Sequence, residues 1–230
     1  MMRVIDLALV NHDSGLLPTE LRQFSYALEE QLREDVAPVW GRCANPWVAG
    51  GVENLPPRVW QLHFWSTPRD AHVSGALGYH QTQGNQHVPV GHVFVKTIRA
   101  HGEEWSVIAS HEAIEMLGNE WINLEVSRVR GNGAKELWPR ELCDACQGLS
   151  YQRKGVALSD FVYPEWFIEG ADGPFDHLRQ LKEPFAIHES GYAAIRKIVG
   201  GTITERNVYG ATYPRWRKKP RPESRKGRRG

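Results

Sequence analysis

The chain has 230 residues, 41% of them hydrophobic and 24% charged, which is typical of a globular protein with a sizeable core. Three cysteines are too few for a disulfide framework, and the chain lacks both a signal-peptide pattern and a run of about 18 apolar residues that would cross a membrane. We therefore expect no membrane contact and a soluble protein, either cytoplasmic or virion-associated.

The first hundred residues predict strands and one long helix. Residues 3–11 form an apolar run that predicts a buried strand. Residues 18–40 predict a helix, because Pro18 suits a first turn, apolar residues recur at helical spacing, and Pro38 ends the pattern. Further strands are predicted at 58–66, 75–83 and 90–98.

The rest of the chain predicts a second helix, which is apolar and therefore buried, followed by shorter elements. The predicted elements are a helix at 104–118, an element of uncertain type at 141–148, a strand running into a Pro-broken segment at 156–167, a helix at 190–200 and a strand at 202–210. A long helix, several strands and a buried helix predict an α+β fold, with a small mixed sheet packed on both helices.

The expected organisation is a main domain at 1–170, an extension packed on it at 171–214, and a disordered basic tail at 215–230. The tail holds nine of the 28 basic residues and one of the 27 acidic ones, so it carries +8 and the rest of the chain −7. Such a tail binds nucleic acid without sequence preference, and a solubilising terminus is an equally good interpretation.

The helix at 104–118 carries H-E-x-x-E, close to the H-E-x-x-H signature of zinc peptidases. His111 and Glu115 are four residues apart and share a face, with Glu112 about 100° to the side. Zinc accepts carboxylate as well as imidazole, so His111 and Glu115 are candidate ligands and Glu112 a candidate general base. The alternative is a half-exposed helix whose three polar residues face water. The apolar residues on its other sides favour burial, which is costly for charged groups unless they are paired or metallated.

A catalytic zinc ion needs a third protein ligand, and E-L-C-D-A-C offers two acids. Glu141 and Asp144 are three apart, so a helical or turn geometry would direct both to the metal and an extended one only one of them. A pair of surface carboxylates is the alternative. Cys143 and Cys146 form a C-x-x-C motif that is half of a structural zinc site, a redox pair, or simply buried; the flanking acids disfavour a thiolate.

Four blocks taken in order resemble uncharacterised bacterial and phage proteins of zincin-like metallopeptidase character. The blocks are G-A-L-G-Y-H, S-H-E-A-I-E-M-L, E-L-C-D-A-C-Q-G and S-D-F-V-Y-P-E-W-F. The S-H-E-x-x-E and E-x-x-D-x-C pair is also similar to plant exordium-like proteins. The resemblance covers about residues 3–167. It implies a zincin-like domain in which His111 and Glu115 are ligands, Glu112 is the base, and Glu141 or Asp144 is the third ligand. Relatives usually have Asp-Pro after the helix, where this chain has Asn119-Glu120.

Zincin-type clefts commonly pair a peptide substrate with an edge strand above the metal, and G-A-L-G-Y-H is the candidate for that strand. Tyr79 or His80 would then donate a hydrogen bond to the oxyanion. The alternative is that His80, like the other histidines between residues 72 and 101, lies in a surface loop. This interpretation is favoured for His72, His87 and His101.

The sequence thus predicts a hydrolase of peptide or protein substrates that uses one zinc ion. The ion would polarise the amide carbonyl, while Glu112 takes a proton from water and passes it to the leaving nitrogen. The alternative is a catalytically inactive metal-binding or structural protein of phage type, with a nucleic-acid-binding tail.

Overall fold

A computed structural model describes residues 3–73, 76–84, 87–199 and 202–214, and it has a mixed α+β architecture with several sheets and few helices. The basic tail at 215–230, with its predicted disorder and polyanion binding, lies outside the described residues. In the described ranges, every helix is too short or too polar to traverse a lipid bilayer.

The main sheet is mixed, and it comes entirely from the first hundred residues. Its strands are β1 (Arg3–His12), β2 (Arg42–Ala49), β3 (Trp60–Trp65), β4 (Gly78–Gln83) and β5 (Val88–Phe94). Their order is β2-β1-β3-β5-β4, and all neighbours are parallel except β4, which runs antiparallel to β5 at one edge. Residues 7–10 of β1 are buried in succession, as expected for a strand covered on both faces.

The long predicted helix is confirmed at its predicted bounds, with a change of winding inside it. Helix α1 (Pro18–Glu30) continues into a π-helical segment, Gln31–Val36, and a last turn, α2 (Ala37–Trp40). The helix ends at Gly41, which adopts φ +68°. Pro38 lies in the final turn, near the helix end that it predicts.

A short helix separates the main sheet from the motif helix. Helix α3 (Val95–Ala100) follows β5 directly, so the predicted strand at 90–98 is wrong in its second half. Helix α4 (Trp105–Gly118) confirms the predicted helix at 104–118. Every residue of α4 except Val107 is buried, because α4 is covered by β4, β5 and the strand at 156–159.

The second half of the chain adds two smaller sheets. Their strands are β6 (Glu125–Val129), β7 (Lys135–Pro139), β8 (Ser150–Arg153), β9 (Val156–Ser159), β10 (Tyr192–Val199) and β11 (Thr202–Tyr209). An antiparallel sheet has the order β11-β10-β7-β6, and β8 forms a hairpin with β9. The prediction at 156–167 is a strand running into a Pro-broken segment, and the structure agrees: β9 ends at Ser159 and a 3₁₀ turn follows at Pro164–Phe167.

The predicted helix at 190–200 is wrong, because β10 pairs there with strands on both sides. Ile195 lies opposite Arg206 of β11, and Lys197 lies opposite Glu136 of β7. β10 thus joins the predicted extension at 171–214 to the sheet formed by β6 and β7. The domain boundary near residue 170 stays a prediction.

Candidate metal centre

Three separate elements bring six ionisable side chains together. Helix α4 contributes His111, Glu112 and Glu115, and the edge strand β4 contributes His80. The turn that follows β7 contributes Glu141 and Asp144. These are six of the seven residues that the sequence proposed for the site.

The first group of ligand atoms is centred on His111. Its Nε2 atom lies 3.2 Å from Oε1 of Glu115 and 3.4 Å from Oδ1 of Asp144. One ligand atom from each of these three residues lies within 4.8 Å of the other two. This spacing lets a single ion touch all three, because metal–ligand bonds of about 2.0–2.2 Å place neighbouring ligand atoms roughly 3–3.5 Å apart.

The second group is centred on His80 and shares Glu115 with the first. Nδ1 of His80 lies 3.0 Å from Oε2 of Glu112 and 3.4 Å from Oε2 of Glu115. On the other side of the same ring, Nε2 lies 3.4 Å from Oε2 of Glu141. His80, Glu112 and Glu115 form the second set of three with mutual spacings under 4.8 Å.

Burial makes this cluster electrostatically demanding. The six residues are between 1% and 7% exposed. Burial by itself lowers the pKa of His111, but the nearby carboxylates of Glu115 and Asp144 raise that pKa well above its ordinary value. Burial and the neighbouring Asp144 raise the pKa of Glu115 to about 7. Burial likewise opposes protonation of His80, and the carboxylates around it, Glu141 foremost, raise its pKa overall.

The donor set fits a divalent cation. Imidazole nitrogen and carboxylate oxygen are ligands that zinc accepts, and a carboxylate-rich shell also suits manganese. Four buried carboxylates against two imidazoles carry an excess of negative charge, which only bound protons or cations can balance. The raised pKa values indicate how strongly the cluster attracts positive charge.

Hydrogen bonds hold the acidic turn in place on both sides. The backbone N–H of Cys143 donates to Oε1 of Glu115 over 3.4 Å, which fixes the turn against α4. The N–H of Val162 donates to the carbonyl of Leu142 at 2.7 Å, which fixes the turn against the segment after β9.

A further hydrogen bond joins α4 to β9. The fully buried side chain of Ser110, just before His111, accepts a 2.7 Å hydrogen bond from the N–H of Ser159. The sequence blocks that carry the family resemblance therefore contact one another around the site.

Close backbone approach at Gly78 brings β4 onto the helix. A Cβ atom at Gly78 would lie 2.7 Å from Cγ2 of Ile108 and 2.9 Å from Oε1 of Glu112. At the other end of α4, a Cβ atom at Gly118 would lie 2.5 Å from Cγ of Leu142. Glycine at both positions therefore lets β4 and the acidic turn sit directly against α4.

Tyr79 is the predicted site residue that the structure does not bring into the cluster. Successive side chains of a strand point to opposite faces, and His80 faces α4. The ring of Tyr79 instead stacks on His92, with centroids 4.6 Å apart. Its role as an oxyanion donor, like that of His80, stays a prediction.

The motif helix and the two cysteines are buried, whereas the histidines of the surface loops are exposed. The alternative interpretation, a half-exposed helix whose three polar residues face water, is wrong, because the three polar residues of the motif are buried. Burial raises the pKa of the Cys143 and Cys146 thiols well above the ordinary value, so both remain neutral. His72, His87 and His101 are exposed, as the surface interpretation predicted.

The position of His80 between three carboxylates was not predicted from the sequence, which indicated His80 only as a hydrogen-bond donor to substrate. The signal that could have found it was its place in a strand. Alternation puts His80 and Tyr79 on opposite faces, so only one of them can meet α4.

A cavity of about 240 Å³ borders the cluster at Glu141. One wall is formed by residues 122–125 and the other by β10 and β11. Charged residues line it: Glu125, Arg196, Glu205 and Arg206.

Comparisons with protein-family models, with curated proteins and with solved structures found no match to this chain.

Proposed function

We propose that this chain is a metal-dependent hydrolase of amide bonds, a zincin-like metallopeptidase with zinc as its ion. The observation that carries the proposal is the convergence of His111, Glu115 and Asp144 beside Glu112 in a buried site. Asp144 is the proposed third ligand, because it reaches the same nitrogen of His111 as Glu115 does. Glu141 instead contacts His80.

The metal would supply Lewis acidity, which polarises the substrate carbonyl and makes water a stronger acid. Glu112 accepts the proton of the attacking water at a carboxylate oxygen and delivers it to the leaving nitrogen. Nδ1 of His80, 3.0 Å from Oε2 of Glu112, holds that carboxylate in place when it carries the proton. Exclusion of water from the buried cluster strengthens each of these electrostatic interactions.

The position of β4 supports a peptide as substrate. β4 is an edge strand of the main sheet, runs antiparallel to its neighbour and carries His80. An extended peptide can add to such an edge by main-chain hydrogen bonds, which would place its carbonyl groups near the site. A mixed sheet with this antiparallel edge beside an H-E-x-x-E helix also supports the zincin-like resemblance.

The second candidate is a catalytically inactive metal-binding protein. Near-complete burial favours it, because none of the six side chains is more than 7% exposed. The two candidates share the metal and differ in whether substrate reaches Glu112.

Variants at three positions test the proposal. Purified wild-type protein is expected to contain zinc by elemental analysis, and Glu115→Ala and Asp144→Ala are expected to lose it. Glu112→Gln should keep the zinc ion, while peptidase activity on a mixed peptide library falls by at least about 10²-fold, the usual contribution of a general base. Glu104→Gln, an exposed acid just before α4, is the matched control and should behave like wild type.

A metal-free wild-type protein would exclude both candidates. A zinc-loaded wild type without activity on any peptide would favour the inactive metal-binding protein. Undiminished activity in Glu112→Gln would remove Glu112 as the base.

A further inference from the structure

The two carboxylate oxygens of Glu115 face different histidines. Oε1 lies 3.2 Å from Nε2 of His111, and Oε2 lies 3.4 Å from Nδ1 of His80. A carboxylate in this position can bridge two cations, because each oxygen is a ligand in its own right. Paired metal ions in two-metal sites are about 3.5–4 Å apart, a separation that one carboxylate spans.

The net charge of the cluster also favours a second bound cation. With neutral imidazoles, the four buried carboxylates of the cluster sum to −4, and one divalent ion leaves −2 in a site shielded from water. Uncompensated charge in such surroundings is costly, so the cluster must bind protons or a further cation. A second divalent ion would bring the sum to zero.

His80 has the surroundings of a metal-binding histidine. Nδ1 faces two carboxylates, those of Glu112 and Glu115, while Nε2 faces Glu141 on the opposite side of the ring. Histidines that bind metals usually donate their other N–H to a carboxylate or carbonyl, which fixes the tautomer and orients the ring. Glu141 fills that place for a ligand that binds through Nδ1.

We propose that the site binds a second divalent ion between His80, Glu112 and Glu115, with Glu115 bridging the two ions and Glu141 positioning His80. This ion engages Glu112 and so prevents it from accepting a proton. Occupancy of the second position therefore inhibits hydrolysis, a consequence that rests on the proposed function, whereas the binding of the ion does not. The first divalent ion thus activates the site, and excess divalent metal inhibits it by filling the second position.

Metal stoichiometry tests the proposal directly. Metal-free full-length protein is titrated with Mn²⁺ and with Zn²⁺ by isothermal calorimetry. Electron paramagnetic resonance of the Mn²⁺ samples reports on pairing, because two bridged manganese ions give an exchange-coupled signal. Wild type is expected to bind two equivalents of either metal and to show that signal.

His80→Ala is expected to bind one equivalent and to lose the coupled signal, while Glu141→Gln should bind the second ion about 10–100-fold more weakly, as other losses of a supporting partner do. His101→Ala, an exposed histidine, is the matched control and should bind two. Circular dichroism verifies folding, and His80→Gln replaces His80→Ala if the latter does not fold.

One equivalent in wild type, or two equivalents that His80 variants leave unchanged, would overturn the second site. A single ion with Glu112-dependent peptidase activity would do so while leaving the proposed function standing. If two ions bind, activity should rise with the first and fall at least tenfold with the second; activity that persists at two equivalents would overturn the inhibitory role.

Discussion

A second buried acidic pair, outside the metal cluster, is expected to control how stability depends on pH. Asp160 and Asp176 are fully buried and cap the same loop, where Asp160 accepts from the N–H groups of Phe161 and Leu178. Burial and the neighbouring Asp176 raise the pKa of Asp160 from 3.8 to about 8. The carboxyl group of Asp160 therefore holds a proton at neutral pH.

The sign of the pH effect follows from this raised pKa. The folded state binds the proton more tightly than the unfolded chain does, so the stabilisation is complete below about pH 4 and is lost as pH rises through about 8. Between these values the free energy of unfolding should fall by up to about 1.4 kcal/mol per pH unit. Asp160→Asn, which resembles the protonated form, should flatten this slope in denaturant titrations of the metal-loaded protein. Asp172→Asn, an exposed control, should keep it; an equal slope in wild type and Asp160→Asn would contradict a proton held by Asp160.

At the scale of elements, the sequence predicted well where a pattern was dictated by local geometry. The continuous apolar character of α4 and the helical spacing of 18–40 gave both helices at their bounds. The strand β2 was not predicted because Pro46 interrupts it, and a proline is tolerated there because β2 is an edge strand. β10 was predicted as a helix because its pairing with β7 and β11 is a tertiary effect that local propensity does not contain.

The site residues were likewise predicted where local geometry determines their positions and missed where packing between elements does. The spacing of His111, Glu112 and Glu115 fixes their relation on one helix, so sequence alone predicts it. Both Glu141 and Asp144 reach the cluster because the chain turns at residues 142–143 between them, one of the geometries in which both acids could do so. The position of His80 depends on how β4 docks on α4, which no local pattern encodes.

The close contact between β4 and α4 at Gly78 is expected to be required for both stability and activity. Gly78→Ala places a methyl group 2.7 Å from Ile108 and 2.9 Å from Glu112, so β4 must move away from the helix. Overpacking of this kind costs about 1–3 kcal/mol of stability, and misplacement of His80 and Glu112 by about 1 Å is expected to lower peptidase activity on the order of 10²-fold. Thermal unfolding and peptide hydrolysis measure the two effects. Gly131→Ala, which has open space around it, is the control, and equal activity in the two variants would show that the close approach is unimportant.

Over the protein as a whole, an ion held by this cluster would couple metal binding to global stability. Its side chains come from the main sheet, from α4 and from the turn after β7, so the unfolded chain offers no equivalent site. Without an ion the folded state must carry the electrostatic cost of four buried carboxylates. Metal is therefore expected to act as a stabilising ligand.

Removal of metal by a chelator should lower the melting temperature on the order of 10 °C. An ion present at about 1,000 times its Kd stabilises by about 4 kcal/mol, and each kcal/mol shifts Tm by about 2–4 °C in a chain of this size. Differential scanning calorimetry with and without chelator makes the measurement. Glu115→Ala, which removes the residue shared by both ligand groups, should melt at the same temperature in either condition. A wild-type Tm that is insensitive to chelator would count against any tightly held ion.

The order of the donors along the chain has a consequence for biosynthesis. The first histidine of the cluster is residue 80 and the last acid is residue 144, with the H-E-x-x-E helix between them. A nascent chain emerging from the ribosome can offer only weak, partial coordination until the acidic turn has cleared the exit tunnel and docked. Acquisition of the proposed ion would therefore follow synthesis of the second sheet's first hairpin, and translation arrested before residue 144 should yield chains that cannot retain it.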